Sequence, residues 1–138
     1  MSARSTTTGA VMEAMIRPAL ERGGYACREQ TIIGTRVGGR VHKVDAIAAK
    51  DGRSALISLK WQQTGGTAEQ KVPFEVMCLA DAVRAGQAER AYLVLGGDGW
   101  TLRDYYVSGQ MAEHLIHAQL VRVVTLEAFV RLANNGQL

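Results

Sequence analysis

The stretch from His42 to Glu75, HKVDAIAAKDGRSALISLKWQQTGGTAEQKVPFE, constrains the fold more than any other part of the chain. It sets an aspartate, Asp45, inside one apolar run and a lysine, Lys60, at the end of the next. Asp51-Gly52 between the runs is a turn signal, so they read as neighbouring antiparallel strands. A polar, glycine-containing turn follows, and then a segment carrying Glu69 and Glu75. A carboxylate and an ammonium on adjacent strands converge on one spot. There they suit oxygen ligation of a hard divalent cation and placement of a positive charge beside an attacked phosphate.

The rest of the chain frames this stretch. Thr7 or Thr8 is expected to cap a helix through about Arg22, with Val11, Met12, Met15, Ala19 and Leu20 on its apolar side. Pro18 should bend or interrupt it. A strand from about Glu29 to Arg36 meets a second, from about Arg40 to Ala49, across the Gly38-Gly39 turn. Ser54–Trp61 completes an antiparallel meander. Alternation puts Leu56, Ser58 and Lys60 on one face and Ala55, Ile57, Leu59 and Trp61 on the other. Thr67 with Gln70 has capping-box spacing, and Val72, Val76, Leu79, Ala80 and Val83 recur at helical spacing. Pro73 leaves two readings: one bent helix from Thr67, or a short turn and then a helix from Pro73. Ala91–Leu95 is a buried strand parallel to a neighbour. Thr101 to about Ala118 reads as a helix weakened at Gly109, Val121–Val124 as a last strand, and Thr125 as the cap of a helix through about Ala133. The expected class is α/β, a mixed sheet with an antiparallel three-strand meander flanked by helices.

At 138 residues the chain suits one domain, 1–138, with one real core. A net charge of +3 is mildly basic and permits a nucleic-acid partner without requiring one. Arg36, Arg40, His42 and Lys43 gather near the first hairpin, as a solvated group or a phosphate contact. Cys27 and Cys78 have no metal-ligand spacing and make no disulfide framework, so free thiols in a reducing cytoplasm are expected. No apolar run approaches the ~20 residues that span a bilayer. The opening MSARSTTTGA lacks the apolar core of a signal peptide. A soluble, cytoplasmic protein with no membrane partner follows.

This element order, with Asp45 in the second strand and Ser58-Leu59-Lys60 ending the third, resembles the PD-(D/E)xK phosphodiesterase superfamily. That superfamily includes restriction endonucleases and Holliday-junction resolvases. The resemblance covers roughly residues 8 to 96 and implies a restriction endonuclease-like core. Asp45 matches the family's aspartate and Lys60 its lysine. The acidic residue expected two places before the lysine falls at Ser58, where this chain lacks it. Some restriction enzymes of the superfamily have Ser-x-Lys here and take the second carboxylate from the following helix. Glu69 and Glu75 are the candidates. Glu75 has the spacing nearer to those enzymes. Reach along the chain favours Glu69, since Glu75 lies about 9 Å further along a continuous helix. Glu13 resembles the first-helix glutamate of resolvase-like members, and also reads as an ordinary first-turn carboxylate favoured by the helix dipole.

The resemblance implies a Mg²⁺-dependent DNA endonuclease, with Mn²⁺ able to substitute. Asp45 with Glu69, Glu75 or Glu13 would hold the cation, and Lys60 would position the attacking water or stabilise developing charge. Gln62 would orient the lysine or a phosphate oxygen, and Lys71 would meet the backbone; both also read as ordinary exposed surface. The alternative is a catalytically inactive nucleic-acid-binding or assembly module on the same fold, which Ser58 motivates. A third reading, a small interaction protein, leaves Asp45 and Lys60 as a structural ion pair. One site per chain needs a second subunit to cut both strands, so a homodimer or higher homo-oligomer is expected.

Overall fold

A computed structural model of the protein describes residues 6–138; the first five, where the Ser/Thr-rich lead begins, lie outside it. Thr6–Val11 (α1), a π-helical segment Met12–Ile16 and Arg17–Arg22 (α2) follow one another without a break. The helix is already formed at Thr6, so the expected caps, Thr7 and Thr8, both lie inside α1. Pro18 sits in the first turn of α2. Just ahead of it, the Arg17 N–H reaches back to the Met12 carbonyl. That wider π turn gives the proline ring room beside the preceding carbonyls, so the predicted bend takes this form.

Ala26–Thr35 (β1), Val41–Lys50 (β2) and Arg53–Trp61 (β3) form the expected antiparallel meander. Gly38 and Gly39, both at φ 95°, turn the first hairpin, as the Gly-Gly pair predicts. Ala68–Arg84 (α3) then crosses back over the sheet, and Arg90–Gly96 (β4) pairs parallel to β3. Arg103–Ser108 (α4), Val121–Thr125 (β5, parallel to β4) and Leu126–Asn134 (α5) complete the chain. The five strands lie in sequence order in one mixed sheet. Thr125 caps α5 as predicted, its hydroxyl accepting the Ala128 N–H at 3.1 Å. The predicted helix over 101–118 is shorter than expected. Gly109, at φ 85°, ends α4 in a left-handed cap, and the chain goes on in the 3₁₀ turns Gln110–Glu113 and Ala118–Leu120.

Helices cover both faces. Met12, Ile16 and Leu20, with Phe129 and Ala133 of α5, pack on Ala55, Ile57, Leu59, Tyr92 and Val94. Val72, Val76 and Leu79 of α3 pack on Leu56, Leu93, Leu95 and Val123. The alternation read for β3 therefore holds.

β1 and β2 break that alternation together. Ala46 and Ala48 face the α2 side, whereas Val44, of the same parity, faces α3. Cys27 and Ile33 divide in the same way. Gln30, at φ 51°, lies between Cys27 and Ile33, and the register sets it opposite Asp45. A left-handed residue in a strand twists the ribbon locally, so both strands turn over at this point. His42, of the same parity as Val44, is carried by the turn-over onto the α3 side, where it is fully buried.

Pro73 neither bends α3 out of the sheet nor starts it; the helix runs through it. Proline cannot donate to the carbonyl four residues back, which here belongs to Glu69. The Tyr106 hydroxyl donates to that carbonyl instead, at 2.8 Å. An orphaned acceptor in the first turns of α3 is thereby satisfied from α4. Tyr106→Phe should cost about 1 kcal/mol of stability in urea denaturation. In a Pro73→Ala background, where residue 73 donates again, the same change should cost close to nothing. Equal losses in the two backgrounds would show that the hydroxyl does not compensate for the proline.

Candidate active site

The apolar stripe of α3 that meets the sheet runs Val72, Val76, Leu79, and Glu75 sits in it, 3% exposed. A lone ionised carboxylate at such a depth is costly, so its partners decide whether it stays charged. Ser58 Oγ donates to Glu75 Oε1 at 3.2 Å. His42 Nε2 stands 3.7 Å from the same oxygen, beyond a full hydrogen bond. Arg36 Nη2 donates to Oε2 at 3.0 Å, and Lys60 Nζ lies 3.8 Å from it. Burial alone pushes the Glu75 carboxyl up; the His42 contact and the Lys60 and Arg36 charges overcome it and hold the group at about 2.

Asp45 reaches the same part of β3 by its side chain. The β2–β3 register ends at Ala46–Ile57. Beyond it the Leu59 N–H donates to Asp45 Oδ2 at 2.7 Å, so a carboxylate stands in for a ladder carbonyl. Asp45 and Glu75 thus both converge on Ser58–Lys60, Asp45 through the Leu59 backbone and Glu75 through the flanking side chains. Lys60, 30% exposed at its side chain, opens this cluster to solvent.

Glu69 is directed elsewhere. Its carboxylate accepts the backbone N–H groups of Thr101 and Leu102 at the entry to α4. Rise along the helix brings Glu69 close to the strand ends, but rotation decides the direction. Over the intervening residues a helix turns about 600°, leaving the two side chains roughly 120° apart. Only Glu75 shares the stripe of Val72 and Leu79.

Gln62 is buried and donates from Nε2 to the Gly99 carbonyl at 2.8 Å, while the Gly99 N–H donates to the Gln62 carbonyl at 2.8 Å. Gly97 is required by this contact: at φ 90° a Cβ there would stand 2.4 Å from the Gln62 carbonyl oxygen. Gln62 therefore anchors the loop after β4. Glu13 is exposed on the π-helical segment, in the layer across the sheet from α3, where its charge acts on Arg17. Lys71 is exposed on α3.

The sequence grouped Arg36 and His42 with the basic residues near the first hairpin and did not assign either to Glu75. The usable signal was Glu75 itself. It stands three residues after Val72 and four before Leu79, so it occupies an apolar stripe that only a partnered carboxylate tolerates.

Among the described residues no three His, Cys, Asp or Glu side chains stand together as a ready metal cage. The donors that converge on Ser58–Lys60, the carboxylates of Asp45 and Glu75, are hard oxygens. They fit a cation of the magnesium kind, which takes one or two carboxylates and keeps several waters. They do not suit a soft metal, which thiolate ligands select; Cys27 and Cys78 form no disulfide.

Residues 4–137 match the family described as PD-(D/E)XK nuclease superfamily domain. No curated protein matches the chain. Among solved structures, the crystal structure of the protein of unknown function AF1548 is similar at 14% identity and a TM-score of 0.49. The match covers 80% of this chain and 54% of that one, so the chain spans about half of that protein's length. No helix among the described residues is long and apolar enough to cross a membrane.

The Glu75 cluster has a stability signature. A carboxyl held at about 2 when folded, against 4.5 ordinarily, contributes stability above its unfolded value and loses it as pH falls toward the folded one. In chelator, the stability difference between wild type and Glu75→Gln should shrink by ~3 kcal/mol from about pH 5 to about pH 2. A difference that does not change with pH would show that Glu75 is not held ionised by its neighbours.

Proposed function

The chain belongs to the PD-(D/E)XK nuclease superfamily, and on that premise we propose that it is a Mg²⁺-dependent endodeoxyribonuclease. The observation that carries this reading is the convergence of Asp45 and Glu75 on Ser58–Lys60, with the Lys60 ammonium at the solvent side. Residues 1–138 would act as one nuclease unit. Asp45 and Glu75 would hold Mg²⁺ or Mn²⁺ through oxygen. The ion, when bound, supplies a Lewis acid for the phosphate and a water of lowered pKa.

The chain's own groups do the rest. Lys60 is placed to donate to a non-bridging phosphate oxygen as negative charge builds there, or to orient the attacking water. Ser58, where the family's acid is missing, donates to Glu75 and holds it in place of serving as a ligand. Gln62 and Glu69 act by fixing the loop after β4 and the entry to α4 beside the site. The exposed Arg40 and partly exposed Lys43 on the first hairpin suit contacts to the DNA backbone. A homodimer or higher homo-oligomer would supply the second site needed for the second strand.

The lack of an acid at Ser58 also favours a second reading, a nucleic-acid-binding module on this fold without cleavage. Nicking of supercoiled plasmid by purified protein in Mg²⁺, absent in EDTA, supports the nuclease. Salt-dependent DNA binding with no nicking in Mg²⁺ or Mn²⁺ supports the module. In the nuclease reading, Lys60→Ala and Glu75→Gln should each lower the nicking rate ~10²-fold or more. Glu69→Gln should keep it within roughly tenfold, since the amide oxygen can still accept the Thr101 and Leu102 N–H groups. Full activity in Glu75→Gln with loss in Glu69→Gln would overturn this choice of carboxylate.

A further inference from the structure

The Glu75 carboxylate is more fully engaged than an available cation ligand would be. Two oxygens offer about four lone-pair directions. Ser58 and His42 face Oε1, and Arg36 and Lys60 face Oε2. Ser58 and Arg36 fill two of these directions with hydrogen bonds, and His42 at 3.7 Å and Lys60 at 3.8 Å crowd the rest, so a cation reaches Oε2 most directly where Arg36 gives way.

Arg36 is the group suited to leave. Its guanidinium hydrogen-bonds Oε2 at 3.0 Å and so opposes a cation there most directly; the Ser58 hydroxyl carries no charge, and the Lys60 ammonium stands farther off at 3.8 Å. It engages Glu75 through Nη2, while its Nε is buried and makes no hydrogen bond. The backbone beneath it is fixed, since the Arg36 N–H donates to the Arg40 carbonyl at 2.7 Å and the Gly39 N–H to the Arg36 carbonyl at 2.9 Å. Its side chain is 27% exposed and lies 5.9 Å from the centre of the half-exposed Phe74 ring. The guanidinium therefore lies between a buried carboxylate and the hairpin surface where Arg40 is exposed. A planar guanidinium that meets its carboxylate through one nitrogen gains a second hydrogen bond by moving to a phosphate.

We propose that Arg36 couples nucleic-acid binding to cation binding: it exchanges Glu75 for a backbone phosphate, and the exchange frees Oε2 for the divalent ion. This rests on the reading of Glu75 as a cation ligand. Without nucleic acid, Arg36 occupies the ligand and the site holds a cation weakly. With a phosphate beside the hairpin, the guanidinium has another anion and the carboxylate is released. By linkage, cation and nucleic acid each strengthen the other's binding by one factor.

The test is calorimetry of Ca²⁺, a hard divalent probe, with and without a short DNA duplex. For wild type the duplex should raise Ca²⁺ affinity ~10-fold, within the usual range of coupling between sites. Arg36→Gln should bind Ca²⁺ more tightly than wild type without DNA, and the duplex should add less than ~3-fold, because the nearer of the two charges on Oε2 is already gone. Arg36→Lys keeps a cation on Glu75 and so preserves the fold should the neutral variant fail to fold. It should show a smaller duplex-induced gain than wild type, since an ammonium cannot take a phosphate in the bidentate way. A wild-type gain in these variants, with Ca²⁺ binding abolished in Glu75→Gln, overturns the coupling and leaves the ligand intact. Ca²⁺ affinity unchanged in Glu75→Gln overturns the ligand reading and the coupling with it.

Discussion

The pairing of one buried carboxylate with the groups around it ties this structure together. Glu75 stands where α3 would otherwise present another apolar side chain to the sheet. Taking an ion to that depth costs several kcal/mol, and only close partners offset it. Those partners come from different elements: Arg36 from the first hairpin, His42 from β2, Ser58 and Lys60 from β3. Satisfying one residue therefore fixes how the hairpin, the central strand and the helix sit against each other. Removing a partner leaves a buried charge uncompensated; removing the carboxylate leaves two cations facing each other.

The turn-over of β1 and β2 at Gln30 and Asp45 makes this assembly possible. In a regular strand His42 would share a face with Ala46 and Ala48 and lie under α2. The local twist brings it beneath α3 and frees the Leu59 N–H from the backbone ladder. Asp45 takes that N–H with its side chain. The irregularity, the aspartate and the buried histidine are one feature, since each depends on where β2 leaves β3.

Much of the fold could be read from the chain because its signals were local. Gly38-Gly39 and Asp51-Gly52 set the hairpins, period-two alternation set the faces of β3, and Thr125 set the start of α5. What escaped depended on contacts between distant segments. Nothing near Pro73 says that α3 continues through it, because the compensating hydroxyl belongs to Tyr106. Nothing near Gln30 announces a left-handed residue, because glutamine rarely adopts one. The expected helix over 101–118 failed because Gly109 was weighed as a weak helix residue, whereas at positive φ it is a stop. The site divides in the same way. Asp45 and Lys60 were legible as a carboxylate inside one apolar run and an ammonium ending the next. The order of Glu69 and Glu75 was not, because distance along the chain brings Glu69 nearer while helical rotation turns only Glu75 toward the sheet.

Ser58 and Glu75 are best understood as one arrangement. Ser58 is 4% exposed and lies against the Glu75 carboxylate. An acid at both places would bury two like charges in contact, and one of them would have to take up a proton. A hydroxyl at 58 removes that conflict and supplies a donor that helps hold the carboxylate from α3. In the proposed site the chemistry usual at position 58 has moved to the helix, and position 58 has become its support. The move carries a consequence for the neighbours. A carboxylate delivered from a buried helix stripe must be neutralised before any cation arrives. Arg36 meets that need, and its position at the edge of the cluster is what lets the same charge serve a second anion.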